Sequence, residues 1–292
     1  MIEVAVIGAG PAGLAAAMQL TRQRMDCLVF EADVPGGLLH NANLVENYPG
    51  FPGGIPGPRL AALFQEQAEQ LGVRIHRRQV RNLTWQDQAF LLTTDQGARQ
   101  AEKTVVATGT RAVPFQDVPV SSQAAERIFT EVADLSGVKG KRILIIGAGD
   151  AAFDYALNLS RENQVTILNR SGRILALGLL QQRVKFSSSI KYHADTIVKQ
   201  IAGGGPGNLL VSVHKPTGEE VLSADYLLTA IGRIPADEFI DPSLLDPPAA
   251  GIPAGSLFFV GDIRSGRFRQ TAMAVGDGVR AAMEIYFRKE KE

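Results

Sequence analysis

Three features of the 292-residue chain predict an α/β fold of two similar domains, the second inserted into the first. A glycine-rich strand–turn–helix–strand pattern opens the chain, and a closely similar pattern returns near its middle. A last strand and helix then arrive without starting a third. The opening run Met1–Ile7 (MIEVAVI) is apolar and rich in β-branched residues, which suits a strand buried on both faces. It breaks at Gly8-Ala9-Gly10-Pro11-Ala12-Gly13 and resumes as the helix-forming stretch Leu14–Leu20. The second apolar run, Cys27–Phe30, stops at Glu31. In such a GxGxxG turn Gly8 permits the tight bend and Gly10 lets a pyrophosphate approach the backbone. Gly13, next to Ala12, lets helix and strand pack closely. The phosphates face the positive helix N-terminus, and the acid Glu31 accepts from ribose hydroxyls. These are the requirements of a dinucleotide site, and the fold class follows: two Rossmann-like three-layer nucleotide-binding domains.

The repeat supports the same reading. Lys141–Ile146 (KRILII) is a buried-strand run, Gly147-Ala148-Gly149-Asp150-Ala151-Ala152 is a GxGxxA turn, and Phe153–Leu159 begins a helix before the strand Gln164–Leu168. The two modules act as controls for each other. Where the first has Glu31, the second has Asn169-Arg170, with Arg173 one short loop further on. Losing the acid and gaining arginines favours a ribose 2′-phosphate, so NADP is expected over NAD at this site. The alternatives are that these arginines are solvated loop charges, or that the site prefers another nucleotide.

Bulk properties exclude several classes. Thirty basic against thirty acidic residues leave no general attraction to nucleic acid or to a membrane surface. Apolar runs are strand-sized, and the first strand starts without a basic n-region, so neither a transmembrane helix nor a signal peptide is expected. The single cysteine, Cys27, allows no intrachain disulfide or cysteine-based metal cluster, and a cytoplasmic protein fits. The four histidines show no ligand or catalytic spacing, so no metal is expected.

Between the modules, Asn47–Pro58 is too rich in Pro and Gly for regular structure, and a loop this long is functional more often than idle. Arg59–Leu71 has helical apolar spacing, Val73–Val80 is strand-like, and Asp95-Gln96-Gly97 joins Phe90–Thr94 to Ala98–Val106 as a hairpin. That last run ends in Ala107-Thr108-Gly109, small residues on which a ligand can lie. In the second module Thr196–Ile201, Leu209–Val213 and Glu219–Leu222 form a meander, with a turn at Gly203–Asn208, and Tyr226–Ala230 is a buried strand. Leu257–Val260 and the helix Ala274–Phe287 cannot bury a core alone, so they complete the first domain. The expected domains are therefore 1–111 with 235–292, and 112–234, joined by crossings near Arg111–Pro114 and Gly232–Pro235. Two crossings also suggest that the inserted domain can rotate.

In order, the segments GAGPAG, PGGLL, VENYPGFPGGIPGPRL, VVATG, GAGDAA, TAIGRIP, FFVGD and RQTAMAVGDG resemble those of low-molecular-weight thioredoxin reductases over nearly the whole chain. The resemblance implies FAD in the outer domain, a pyridine nucleotide in the inserted one, and a homodimer. It places Gly8, Gly10, Gly13 and Glu31 on the adenosine half of FAD, and Gly37, Leu38 and Asn47 along ribitol and flavin. Gly261-Asp262 would meet ribitol or pyrophosphate, and Gln270, Thr271 and Ala272 would approach the flavin at the start of the last helix. Such a helix N-terminus can stabilise negative charge on the reduced ring.

One departure separates the chain from that family. Where thioredoxin reductases carry a redox-active Cys-x-x-Cys, this sequence reads Thr130-Glu131-Val132-Ala133. Lacking the pair, it is similar to the thioredoxin-reductase-like ferredoxin/flavodoxin–NADP reductases, including Val132-Ala133-Asp134-Leu135 and GAGDAAFDYAL. The expected activity is hydride transfer from NADPH to flavin, with electrons passed to an external acceptor: ferredoxin, flavodoxin, a quinone or a small oxidant. Flavin hydride transfer needs no general base, so no catalytic side chain is expected. The other readings are a non-catalytic flavin- and nucleotide-binding redox sensor, or a thioredoxin reductase homologue using a different electron donor.

Overall fold

The computed structural model describes residues 1–116, 118–205, 207–245 and 251–291. It divides the chain into two compact units: Met1–His40, Val45–Arg111 and Ile234–Glu292 form the first, Asn41–Leu44 and Ala112–Arg233 the second. Against the expected boundaries, Asn41–Leu44 groups with the second unit and Ile234 with the first. The crossings Thr110–Ala112 and Arg233–Pro235 pair with each other as a two-stranded ribbon.

In the first unit Ile2–Ile7 lies between Cys27–Glu31 and Gly97–Val106, parallel to both. Ala5 and Ile7 enter one apolar cluster with Phe30, Leu83, Phe90 and Leu92. Val4 and Val6 alternate to the other face and are equally buried, as the continuous apolar run requires. Gly97–Val106 does two jobs. Its start pairs antiparallel with Ala89–Thr94, and from Ala101 onward it pairs with the first strand, so hairpin and parallel strands share one seven-stranded sheet. The strand expected over Val73–Val80 is two strands, Arg74–Arg77 and Val80–Gln86, at opposite ends of the sheet order. Between them Arg78 N donates to His76 O and turns the chain out of the first ladder. The tail behaves as a completing piece: Leu257–Phe259 pairs with Gly97–Val106, and the helix Thr271–Lys289 packs on the helix Pro11–Arg22.

The second unit layers helices, a parallel sheet and a separate meander. Ile143 and Ile145 point to a cluster with Phe153 and Ala156 of the helix Asp150–Leu159. Leu144 and Leu168 face the other way, onto Val198, Val211 and Val213 of the meander Ile197–Gly203, Leu209–Lys215 and Gly218–Ala224. Here the third meander strand does not continue into the core strand Tyr226–Thr229. Asp225 breaks the run, its carboxylate accepting from Arg142 N while its own N–H donates to Arg142 O. The Gly203–Asn208 turn is described apart from Pro206.

Candidate functional site

Both glycine turns are built on one backbone frame. Gly8 N donates to Phe30 O, and Gly147 N to Leu168 O. Ala107 N donates to Ile7 O, and Ala230 N to Ile146 O, at 2.8–3.0 Å throughout. A Cβ on Gly8 would lie 2.5 Å from Ala107 O, and one on Gly147 2.3 Å from Ala230 O. Both residues also sit at positive φ, so no other residue fits either place. In each unit the loop after the second strand returns to the second residue of the turn. Gly36 N donates to Ala9 O in the first, Leu175 N and Ala176 N to Ala148 O in the second.

What these frames leave open decides what they can hold. A Cβ on Gly10 or Gly149 would meet nothing within 4 Å. Each precedes a helix whose first-turn N–H groups lack intrahelical partners. The second glycine of each turn therefore borders space beside a helix N-terminus, which fits a pyrophosphate. Gly13 has the opposite surroundings: its Cβ would lie 1.8 Å from Gly8 O, so it serves helix–strand packing.

The acid and its replacement do different work. Glu31 accepts from Ala9 N at 2.6 Å and from Asp33 N at 2.9 Å, which holds its carboxylate at the lip of the turn. Asn169 is only 4% exposed, and its side chain bonds to Arg173 O, the Tyr192 hydroxyl and Ser171 N. Arg170 and Arg173 of the same loop are exposed. Asp150 accepts from Leu177 N at 2.7 Å, while its neighbour Ala151 is exposed.

Elsewhere in the first unit Asn47 Nδ2 donates to Gln270 Oε1 at 2.6 Å, bringing the Pro/Gly loop to the start of the last helix beside Thr271 and Ala272. Gly37 stands against the fingerprint, a Cβ there lying 3.2 Å from Gly10 Cα, and Leu38 follows it, half-buried. Thr108 donates to Ala236 O, Gly109 O accepts from Ala236 N, and Gly261 N donates to Asp277. Asp262 is half-buried beside it. Sequence reading missed Gly278, whose Cβ would be 2.1 Å from Ala12 O, and Asp277, which braces the Gly261 turn.

Inside the second unit, Thr130–Ala133 carries a charge cluster. Glu131 accepts from Arg233 at 2.7 Å and from Asn41 at 2.6 Å, and Asn41 Oδ1 accepts from Ala133 N. Tyr155 nearby is pushed up to about 12, by burial first and by the Glu131 charge second. Cys27 is buried, and desolvation pushes its thiol up to about 12, so it is an apolar filler and a poor nucleophile. Among the described residues, no three His, Cys, Asp or Glu side chains could hold a metal ion, and no helix is long and apolar enough to cross a membrane.

Residues 2–278 match the pyridine nucleotide-disulphide oxidoreductase family. The chain belongs to that family. It is 31% identical to the bifunctional thioredoxin reductase/thioredoxin of Mycobacterium leprae over 97% of its length, spanning 64% of that protein. It is 29% identical to Bacillus subtilis thioredoxin reductase, covering 97% of this chain and 93% of that one. Lactococcus lactis thioredoxin reductase, in its FR conformation, superposes with a TM-score of 0.88 at 30% identity, over 100% of both chains. The chain spans less than two thirds of the length of the first of these relatives, and what it resembles in each case is a thioredoxin reductase.

Proposed function

We propose that the chain takes hydride from NADPH onto FAD and passes electrons from the flavin directly to an external acceptor, with no internal dithiol. The carrying observation is the pair of matched turns with open second glycines, one keeping its acid and the other exchanging it for Asn169-Arg170. Residues 1–111 with 235–292 would hold FAD, through Gly8, Gly10, Ala12, Gly13 and Glu31 at the adenosine end. Gly37, Leu38, Asn47, Ala107, Thr108, Gly109, Gly261, Asp262, Gln270, Thr271 and Ala272 would line the rest. Residues 112–234 would hold NADPH on Gly147, Gly149, Asp150 and Ala151, with Arg170 and Arg173 at the 2′-phosphate. Asp150, already engaged with Leu177, would act through that loop. When bound, FAD supplies the hydride acceptance and the onward electron transfer. The protein's own part would be to hold and orient both nucleotides. A homodimer is part of this proposal, as is an acceptor that is a ferredoxin- or flavodoxin-type carrier or a small oxidant.

The purified protein is expected to be yellow, and anaerobic NADPH should bleach it within seconds. Protein that stays colourless and fails to take up added FAD would contradict the reading.

Nucleotide choice is tested separately. Removing one charge-assisted contact costs about 1.5–3 kcal/mol, roughly 10- to 150-fold. Arg170→Ala is therefore expected to raise the NADPH KM by that order and leave the NADH KM nearly unchanged. Equal effects on both would show that Arg170 does not read the phosphate.

A further inference from the structure

We propose that Asn169 is a positioning residue. Its side-chain amide, locked by Tyr192, sets the shape of the arginine loop Arg170–Arg173 and thereby the preference for the phosphorylated nucleotide. This rests on the NADPH reading above.

Asn169 follows the strand Gln164–Leu168, at the place where Glu31 follows its own strand. An exposed acid there accepts from a ribose, but Asn169 uses every polar atom internally. Nδ2 donates to Arg173 O at 3.0 Å and to the Tyr192 hydroxyl at 2.8 Å. Oδ1 accepts from Ser171 N at 3.2 Å. Its backbone is engaged as well, Asn169 N with His193 O and Asn169 O with Thr196 N. One amide thus closes the loop onto itself at both of its ends, an Asx-type turn extended by a second donor.

The chemistry is specific to an amide. A carboxylate could accept from Ser171 N, yet it has no proton for Arg173 O and would leave that carbonyl facing a negative charge. Tyr192 is the second half of the device. It stands on the strand Ile190–His193, and its ring lies 6.0 Å from Phe153 of the fingerprint helix. The far end of the loop is tied to the fingerprint too, Leu175 N and Ala176 N to Ala148 O and Leu177 N to Asp150. The arginine loop and the pyrophosphate turn are therefore one hydrogen-bonded assembly. Both exposed guanidinium groups leave it from a fixed backbone, which lowers the entropy lost when they grip an anion.

The test uses the intact holoenzyme with NADPH and NADH as substrates, and 2′,5′-ADP as a titrated probe. Tyr192→Phe deletes one hydroxyl and keeps the ring. It is expected to raise the NADPH KM and the 2′,5′-ADP Kd about 3- to 10-fold, with kcat and the NADH KM unchanged. Asn169→Ala should do more of the same. Asn169→Asp separates positioning from direct contact: positioning predicts weaker NADPH with no gain for NADH, whereas a ribose contact predicts a lower NADH KM. An unchanged NADPH-to-NADH ratio in Tyr192→Phe and Asn169→Ala, with Arg170→Ala still erasing the preference, would overturn the positioning role alone. If Arg170→Ala also leaves the ratio unchanged, the NADPH reading itself falls.

Discussion

Gly10→Ala is expected to give a folded protein that has lost its flavin, and Gly13→Ala one that barely folds. The two glycines are three residues apart in one turn, but their surroundings are opposite. A Cβ on Gly10 would meet no atom within 4 Å, and the backbone there (φ −72°, ψ −176°) suits alanine. Stability of the apoprotein should change by no more than about 0.5 kcal/mol. The new methyl would occupy the space left for the pyrophosphate, so FAD affinity should fall roughly 10- to 100-fold, about 1.4–2.8 kcal/mol. At Gly13 the Cβ would lie 1.8 Å from Gly8 O and 3.2 Å from the Ala107 side chain. Backbone cannot yield as a side chain does, so helix and strand would have to separate, at a cost of about 3 kcal/mol or more. Flavin-to-protein ratio and apoprotein melting, measured on both variants, check the pair. Equal melting losses would refute the division of roles between the two glycines.

The contrast between an open second glycine and a packed third one was legible from GxGxxG, as was the repeat, because each depends on backbone geometry that only glycine supplies. The same holds for the apolar runs in Met1–Ile7 and Lys141–Ile146: Val4–Ile7 are buried on both faces, and Ile143 and Ile145 reach one apolar cluster while Leu144 reaches another. What stayed hidden depends on partners distant in sequence. Spacing placed Asn169 where a ribose acid belongs, but nothing local reveals that Tyr192 would turn its amide inward. Gly278 reads as one more glycine in a helix until Ala12 O is found 2.1 Å from where its Cβ would be. Asn41–Leu44 looked like part of the first domain because it is flanked by it. Its place follows from hydrogen bonds to Glu131, Asp154 and Arg161, which no periodicity encodes.

Reduced by NADPH, the protein is expected to reduce an artificial dye or a one-electron carrier, but not thioredoxin. Thioredoxin reductases hand electrons to their substrate through a cysteine pair, and its place here is filled by chemistry that cannot carry them. Glu131 is held by Arg233 and Asn41, Thr130 precedes it, and Ala133 lies within the short turn Val132–Leu135, with no thiol among them. Cys27 offers no substitute, since it is 6% exposed and desolvation pushes its thiol up to about 12, which disfavours the nucleophilic thiolate. On the proposed reading the acceptor meets the flavin itself. Arg264 and Arg267 follow the Gly261-Asp262 turn and are exposed, a setting that would steer an acidic carrier. Its reduction rate should fall roughly tenfold as ionic strength rises from about 0.02 to 0.5 M, while a small neutral oxidant is barely affected. The Arg264→Ala, Arg267→Ala double variant should flatten that salt dependence. Stopped-flow mixing of reduced protein with each acceptor decides the matter: steady reduction of thioredoxin, with no other protein present, would refute direct transfer.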